Sequence, residues 1–208
     1  DAVISGESIL EGKLGKKVGT DIVSIIDDST VDGAWGTEQY DDEGVRTRKR
    51  LLIEKGVLKG YIHNKESASK LGLEPNGGAR AQNFSHRPIV RMSNTYIQKG
   101  SYSFEEMLED IKHGVYLKAS RGGEVDPAKG TFQFNAEEAC LIEKGELSIP
   151  LLDASLSGLT LETLHNIDAV CRDLDWGTGF CGKGEQTVPA GTGSPHIRIT
   201  NALVGGRA

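Results

Sequence analysis

The sequence predicts an α+β fold dominated by antiparallel β-sheet, barrel-like or sandwich-like, with a few helices. Three observations carry this. Twenty-seven glycines are spread through 208 residues, and glycine supplies the positive φ that tight turns require. Apolar runs are short and bounded by turn residues, the pattern of many strands rather than of long helices. The chain shows no βαβ rhythm and no phosphate-binding GxGxxG, which argues against a parallel α/β sheet.

The elements follow in order. Residues 18–26 are β-branched and loosely alternating, which suits a strand, and residues 27–33 then supply turn and loop chemistry. Residues 50–62 form two apolar arms around Glu54-Lys55-Gly56, the pattern of a hairpin with a three-residue loop whose glycine is left-handed. The heptad from Leu52 to Leu58 recurs from Leu141 to Leu147 with six of seven residues identical. A helix is expected after each copy, over residues 64–71 and 159–167. Either a hairpin and helix unit is duplicated, or two segments have converged on one good turn. Residues 87–97 read as a single strand, with Pro88 at its start, where the missing N–H does least harm. Residues 103–113 read as a helix capped by Ser103 with Glu106 as its capping-box partner. Phe104, Met107, Leu108 and Ile111 form its apolar face, Gly114 ends it, and His113 sits in its last turn. Residues 130–135 alternate as a half-buried strand should.

Composition narrows the function. Thirty acidic against 24 basic side chains give a net charge of -6, and no basic stripe is interleaved with aromatics, so nucleic acid is excluded as an expected partner. No apolar run approaches the roughly 20 residues that span a bilayer, and no basic segment with an apolar run follows the first residue. A soluble, cytoplasmic chain without membrane partner is expected. The three cysteines form no CxxC and suit a reducing compartment.

The candidate site is Cys181, set in Gly177-Thr-Gly-Phe-Cys-Gly-Lys-Gly-Glu-Gln186. Glycines permit close approach and unusual φ, and the Lys183 ammonium beside Gly182 favours a thiolate. A thiolate can ligate a metal or attack an electrophile, while an incidental cysteine in a glycine-rich hairpin loop is the plainer account. No two of the five histidines stand at the i, i+4 spacing of a helical metal pair, and none is tied to Cys181 by spacing. His86, next to Arg87 and ahead of a strand, is the histidine best placed to act.

Three segments together resemble the C-terminal half of the TldD/PmbA family. They are the stretch from Leu52 to Tyr61, Arg91-Met-Ser-Asn-Thr-Tyr96, and Cys181-Gly-Lys-Gly-Glu-Gln186 followed by Pro189 and Gly191. The resemblance extends along residues 1–208 and implies one C-terminal domain of a TldD-type metalloprotease, truncated at its N-terminus. It implies peptidase chemistry on peptides or unfolded segments, with Zn²⁺ held in the full-length protein by two histidines of an HExxxH segment and by Cys181, supported by Gly182 and Lys183. No HExxxH occurs here, so the catalytic segment is expected upstream of Asp1, no catalytic residue lies within this chain, and the fragment alone is expected to be inactive. Arg91, Ser93 and Asn94 are the expected substrate contacts, on a strand with outward polar groups that receives an extended peptide. The family also implies a homodimer, or a heterodimer with a PmbA/TldE-like subunit. A non-catalytic PmbA/TldE-like scaffold or partner domain is the alternative, and a cysteine-nucleophile hydrolase a third reading.

Overall fold

The computed structural model describes residues 1–207. The chain begins with turns and forms its first strand, β1, at Ile25–Asp28, followed by β2 (Lys49–Glu54), β3 (Val57–Leu58) and helix α1 (Lys65–Leu71). Two short strands, β4 (Ala79–Arg80) and β5 (Ile89–Val90), precede β6 (Asn94–Ile97) and α2 (Phe104–Glu109). A long hairpin of β7 (His113–Asp126) and β8 (Thr131–Glu143) leads to β9 (Glu146–Pro150), β10 (Leu152–Leu159), α3 (Thr160–His165) and β11 (Ile167–Val170). The last segment holds β12 (Asp175–Lys183), β13 (Gln186–Ser194), β14 (Ile197–Ile199) and β15 (Leu203–Arg207).

Two sheets dominate, as expected of a mostly antiparallel α+β chain. A six-stranded sheet runs β12-β13-β6-β1-β2-β3, and a five-stranded sheet runs β15-β10-β8-β7 with β9 also paired to β8. β11 pairs with β14, and β4 with β5. All named pairings are antiparallel except β13 with β6, where Gly191, Thr192 and Gly193 oppose Asn94, Thr95 and Tyr96. The glycines are needed there: a Cβ on Gly191 would stand 2.5 Å from Asn94 Oδ1. Small apolar clusters pack between elements, one of Val18, Ile53 and Leu58, another of Val23, Ile167 and Val170. His196, between β13 and β14, shares a 3.0 Å hydrogen bond with Tyr116 of β7 while its Nδ1 lies 2.5 Å from the Asp173 carboxylate.

Several expectations change in detail. The first strand is shifted: only the end of residues 18–26 is strand, and it continues through Asp27 and Asp28. Asp27 sits there because Arg50, its cross-strand neighbour, compensates its charge. Both copies of the Leu-Ile-Glu-Lys-Gly repeat are hairpins, but with two-residue loops rather than three. Lys55 and Gly56 (φ 46° and 74°) and Lys144 and Gly145 (φ 52° and 83°) are all left-handed, the type I′ turn that matches strand twist. The downstream elements differ, since β10 lies between β9 and α3 but no strand separates β3 from α1. Residues 87–97 divide into β5 and β6, with Arg91, Met92 and Ser93 between them. Helix α2 has its Ser103 and Glu106 capping box and buries Met107, yet it ends at Asp110. His113 therefore starts a strand and has no helix dipole to complement. The Lys144-Gly145 turn bonds Lys112 and Ile111 carbonyls, which ends the helix early.

Candidate active site

Cys181 lies in β12 itself, not in a loop. The turn that follows uses Gly184 and Glu185, both left-handed at φ 57° and 61°, so Lys183 pairs with Gln186 and Cys181 with Val188. Side chains two apart on a strand share a face, which puts Cys181 and Lys183 together and Gly182 opposite. β12 is an edge of its sheet, and Cys181 is half-buried on it. A Cβ on Gly179 or Gly182 would meet nothing within 4 Å, so the strand has open space on either side of the cysteine.

Lys183 does not donate to the sulfur. Its ammonium has three donors, and they go to Asp1 Oδ1 at 2.7 Å, Asp1 Oδ2 at 2.6 Å and the Val90 carbonyl at 3.0 Å. Burial lowers the lysine's pKa and the nearby Arg91 charge lowers it further, with Cys181 acting in the opposite direction. The Asp1 contact places the start of the chain against the strand that carries Cys181.

Arg91, Ser93 and Asn94 are inside the protein rather than on its surface. Ser93 and Asn94 are 0% exposed. The Ser93 main-chain N–H and hydroxyl donate to Asp27 Oδ2 and Oδ1 at 2.8 and 2.7 Å. Asn94 donates to the Asp28 carbonyl at 2.9 Å and to Thr37 Oγ1 at 3.0 Å, and accepts from the Gly36 N–H at 2.8 Å. The expected outward polar strand is thus corrected. β6 is hydrogen-bonded on both sides, by β1 and β13, so no extended peptide can add to it. Arg91 is 2% exposed. Its Nη2 donates to the main-chain carbonyls of Cys181 and Gln186, the latter at 3.4 Å.

Other groups converge on the same hairpin. The Gln186 side chain donates to the Arg87 carbonyl at 3.0 Å and accepts from the Gln82 N–H at 3.1 Å, while Gln82 accepts from the Thr187 N–H at 2.8 Å. Arg80 donates to the Met92 and Pro189 carbonyls at 2.9 and 2.6 Å. Next to Cys181, Phe180 meets Trp35 edge-to-face with ring centroids 6.2 Å apart, and both rings are largely exposed. Arg80 and Gln82 leave no periodic trace in a sequence, so only the Cys181 segment and, as an expected surface contact, Arg91 were visible there.

The metal expectation can be tested on the donor set. Among the described residues no group of three or more His, Cys, Asp or Glu could hold a metal ion. The histidines are dispersed: His86 Nδ1 bonds Asn83 Oδ1 at 2.7 Å in an exposed turn, His165 bonds the Leu161 carbonyl at 2.7 Å, and His63 is buried with its Nδ1 unpartnered. A metal held by Cys181 would need its further donors from outside the described residues.

Comparison with known proteins identifies the family. Residues 1–206 match the family described as the PmbA/TldA metallopeptidase C-terminal domain. A protein named metalloprotease from Methanothermobacter thermautotrophicus is 55% identical over 99% of the chain and 45% of its own length. A zinc metalloprotease TldD homolog from Saccharolobus solfataricus is 38% identical over 92% of the chain and 43% of its own length. The crystal structure of TldE from Thermococcus kodakarensis superposes with a TM-score of 0.79 at 25% identity, covering 99% of this chain and 44% of that one. The chain thus spans less than half the length of these relatives. The chain is a member of the PmbA/TldD metallopeptidase family.

Proposed function

We propose that this chain is the C-terminal part of a TldD-type zinc peptidase, and that it contributes Cys181 as one zinc ligand and the free edge of β12 as the seat of an extended peptide. The observation that carries the reading is the position of Cys181: a half-buried thiol on a glycine-rich edge strand, against which the Asp1 carboxylate is held by Lys183. On this reading, two histidines of an HExxxH segment outside this chain would complete the ligand set beside Cys181, and its Glu would serve as base. Zinc with three protein ligands supplies an activated water near neutral pH. The residues of this chain do the rest of the positioning. β12 offers unpaired main-chain groups along one side, and neither proline nor lysine interrupts it before position 183. An extended peptide adds to such an edge through main-chain hydrogen bonds. Arg91, Ser93 and Asn94 act from the interior by fixing the strands beneath the site.

On this reading the whole protein hydrolyses peptides in the cytoplasm, as a homodimer or with a PmbA/TldE-like subunit. No helix among the described residues is long and apolar enough to cross a membrane. The likeness to TldE favours one alternative, a non-catalytic partner subunit. Zinc analysis of the full-length protein separates the two. The expected result is stoichiometric zinc that is lost in Cys181→Ser, because a neutral hydroxyl is a poor zinc ligand, and retained in Cys171→Ser, where the thiol is fully buried beside Met107. Zinc that survives Cys181→Ser, or a full-length protein that binds none, overturns the peptidase reading.

A further inference from the structure

The cysteine strand has a mechanical difficulty. β12 is bonded to a neighbour on one side only, and glycines at 177, 179 and 182 loosen its backbone around Cys181. A metal ligand must nevertheless be held to a few tenths of an ångström. Something beneath the strand must fix it.

Arg91 is placed to do so. It lies in the segment between β5 and β6, with its own N–H donating to the Gly78 carbonyl at 2.9 Å. Its guanidinium reaches the carbonyls of Cys181 and Gln186, one on each arm of the hairpin. The preceding residue acts on the same strand, since the Val90 carbonyl accepts from Lys183. Residues 90 and 91 thus grip β12 at positions 181 and 183. Arg91 is buried without a carboxylate: none of the ion pairs among the described residues includes it, and its Nε and Nη1 have no partner. A buried, uncompensated cation is costly to the fold. Fold stability alone is a poor explanation for it, because an apolar side chain of similar size would fill the space at lower cost.

We propose that Arg91 is a positioning residue for the Cys181 ligand: by holding the carbonyls of Cys181 and Gln186 it sets the depth and direction of the thiol-bearing strand. Arginine suits this task because the planar guanidinium fixes the directions of the two N–H bonds on Nη2, which makes both contacts, whereas a lysine offers a mobile point charge. The proposal rests on the reading of Cys181 as a metal ligand.

The test uses the full-length protein with cobalt(II) in place of zinc, comparing wild type, Arg91→Met, Arg91→Lys and Cys181→Ser. Arg91→Met is expected to weaken cobalt binding about 10–100-fold, the usual effect of removing a group that orients a ligand, and to dim the thiolate-to-cobalt charge-transfer band at saturation. Arg91→Lys should recover part of both. Amide hydrogen exchange across residues 181–188 should quicken in the metal-free Arg91→Met protein. If Arg91→Met does not fold, Arg91→Lys, which keeps the charge and loses the fork, serves in its place. Cobalt affinity within twofold of wild type in the folded variant, with unchanged exchange in the hairpin, overturns the proposal. A charge-transfer band that persists in Cys181→Ser sinks the ligand reading instead, and the exchange result then still decides whether Arg91 clamps the hairpin.

Discussion

Replacing Arg50 by alanine removes a cation buried in the six-stranded sheet. Arg50 Nε lies 3.0 Å from Asp27 Oδ1, and Nη2 bonds the same carboxylate together with Ser29 Oγ at 2.7 Å and Ser93 Oγ at 2.9 Å. Nη1 donates to the Asn76 and Gly77 carbonyls at 2.9 and 2.6 Å. Asp27 would keep its bonds from Ser93 and from Thr95 Oγ1 at 2.6 Å, but its charge would be fully buried and unpaired. Removing one partner of a buried pair costs about 3–5 kcal/mol, a large part of the roughly 5–15 kcal/mol that holds a typical domain folded. In a chain of this size each kcal/mol shifts the melting midpoint by about 2–4 °C, so Arg50→Ala should melt about 6–20 °C lower. Differential scanning calorimetry or far-ultraviolet circular dichroism on the 208-residue chain reads this directly. The double variant Asp27→Asn, Arg50→Met leaves no net charge buried and should lose less than the two single changes together. A fall of less than about 2 °C for Arg50→Ala, or strict additivity in the cycle, would refute the account of this pair as a mutually dependent buried ion pair.

Two further outcomes are expected. The 208-residue chain should fold to the same melting midpoint with and without a chelator and should not hydrolyse peptides, since no group of three or more His, Cys, Asp or Glu among its described residues could hold a metal ion and its apolar clusters do not involve Cys181; tight zinc together with chelator-sensitive peptidase activity in this chain would contradict this. His63 has its pKa lowered below the ordinary 6.5, chiefly by burial and secondarily by the chain's amino terminus. The unfolded chain therefore binds its proton first, and stability should decline as pH falls through 6.5 toward the lower folded value. His63→Phe should flatten that part of the denaturation profile, and an unchanged slope between pH 7 and pH 5 would show that His63 does not set it.

The legible parts of the sequence were those in which one residue states its own local geometry. Ser103 and Glu106 announce a capping box, and the structure forms it. The two Lys-Gly turns were visible as turns, although left-handed lysines shortened each loop by a residue. What was hidden depends on distant partners. Asp27 is a poor strand residue until Arg50 is placed opposite it, and Ser93 and Asn94 look like surface polar groups until Asp27, Asp28 and Gly36 surround them. Cys181 was found through its glycines, but the same glycines suggested a loop. The strand register became clear only from its pairing with Val188 and its neighbours.

The parallel contact of β13 with β6 sets an order of events. Gly191 meets Asn94 across about half of the chain, and a contact so distant in sequence pays a large loop-closure cost before it yields any stabilisation. The hairpins of β2 with β3 and of β7 with β8 are local and need no such closure. During synthesis, the ribosome must release residues beyond β13 before the sheet can be completed, so the cysteine reaches its final position late. A protein built in this sequence has β1, β2 and β6 made well before the strand that carries its thiol can join them.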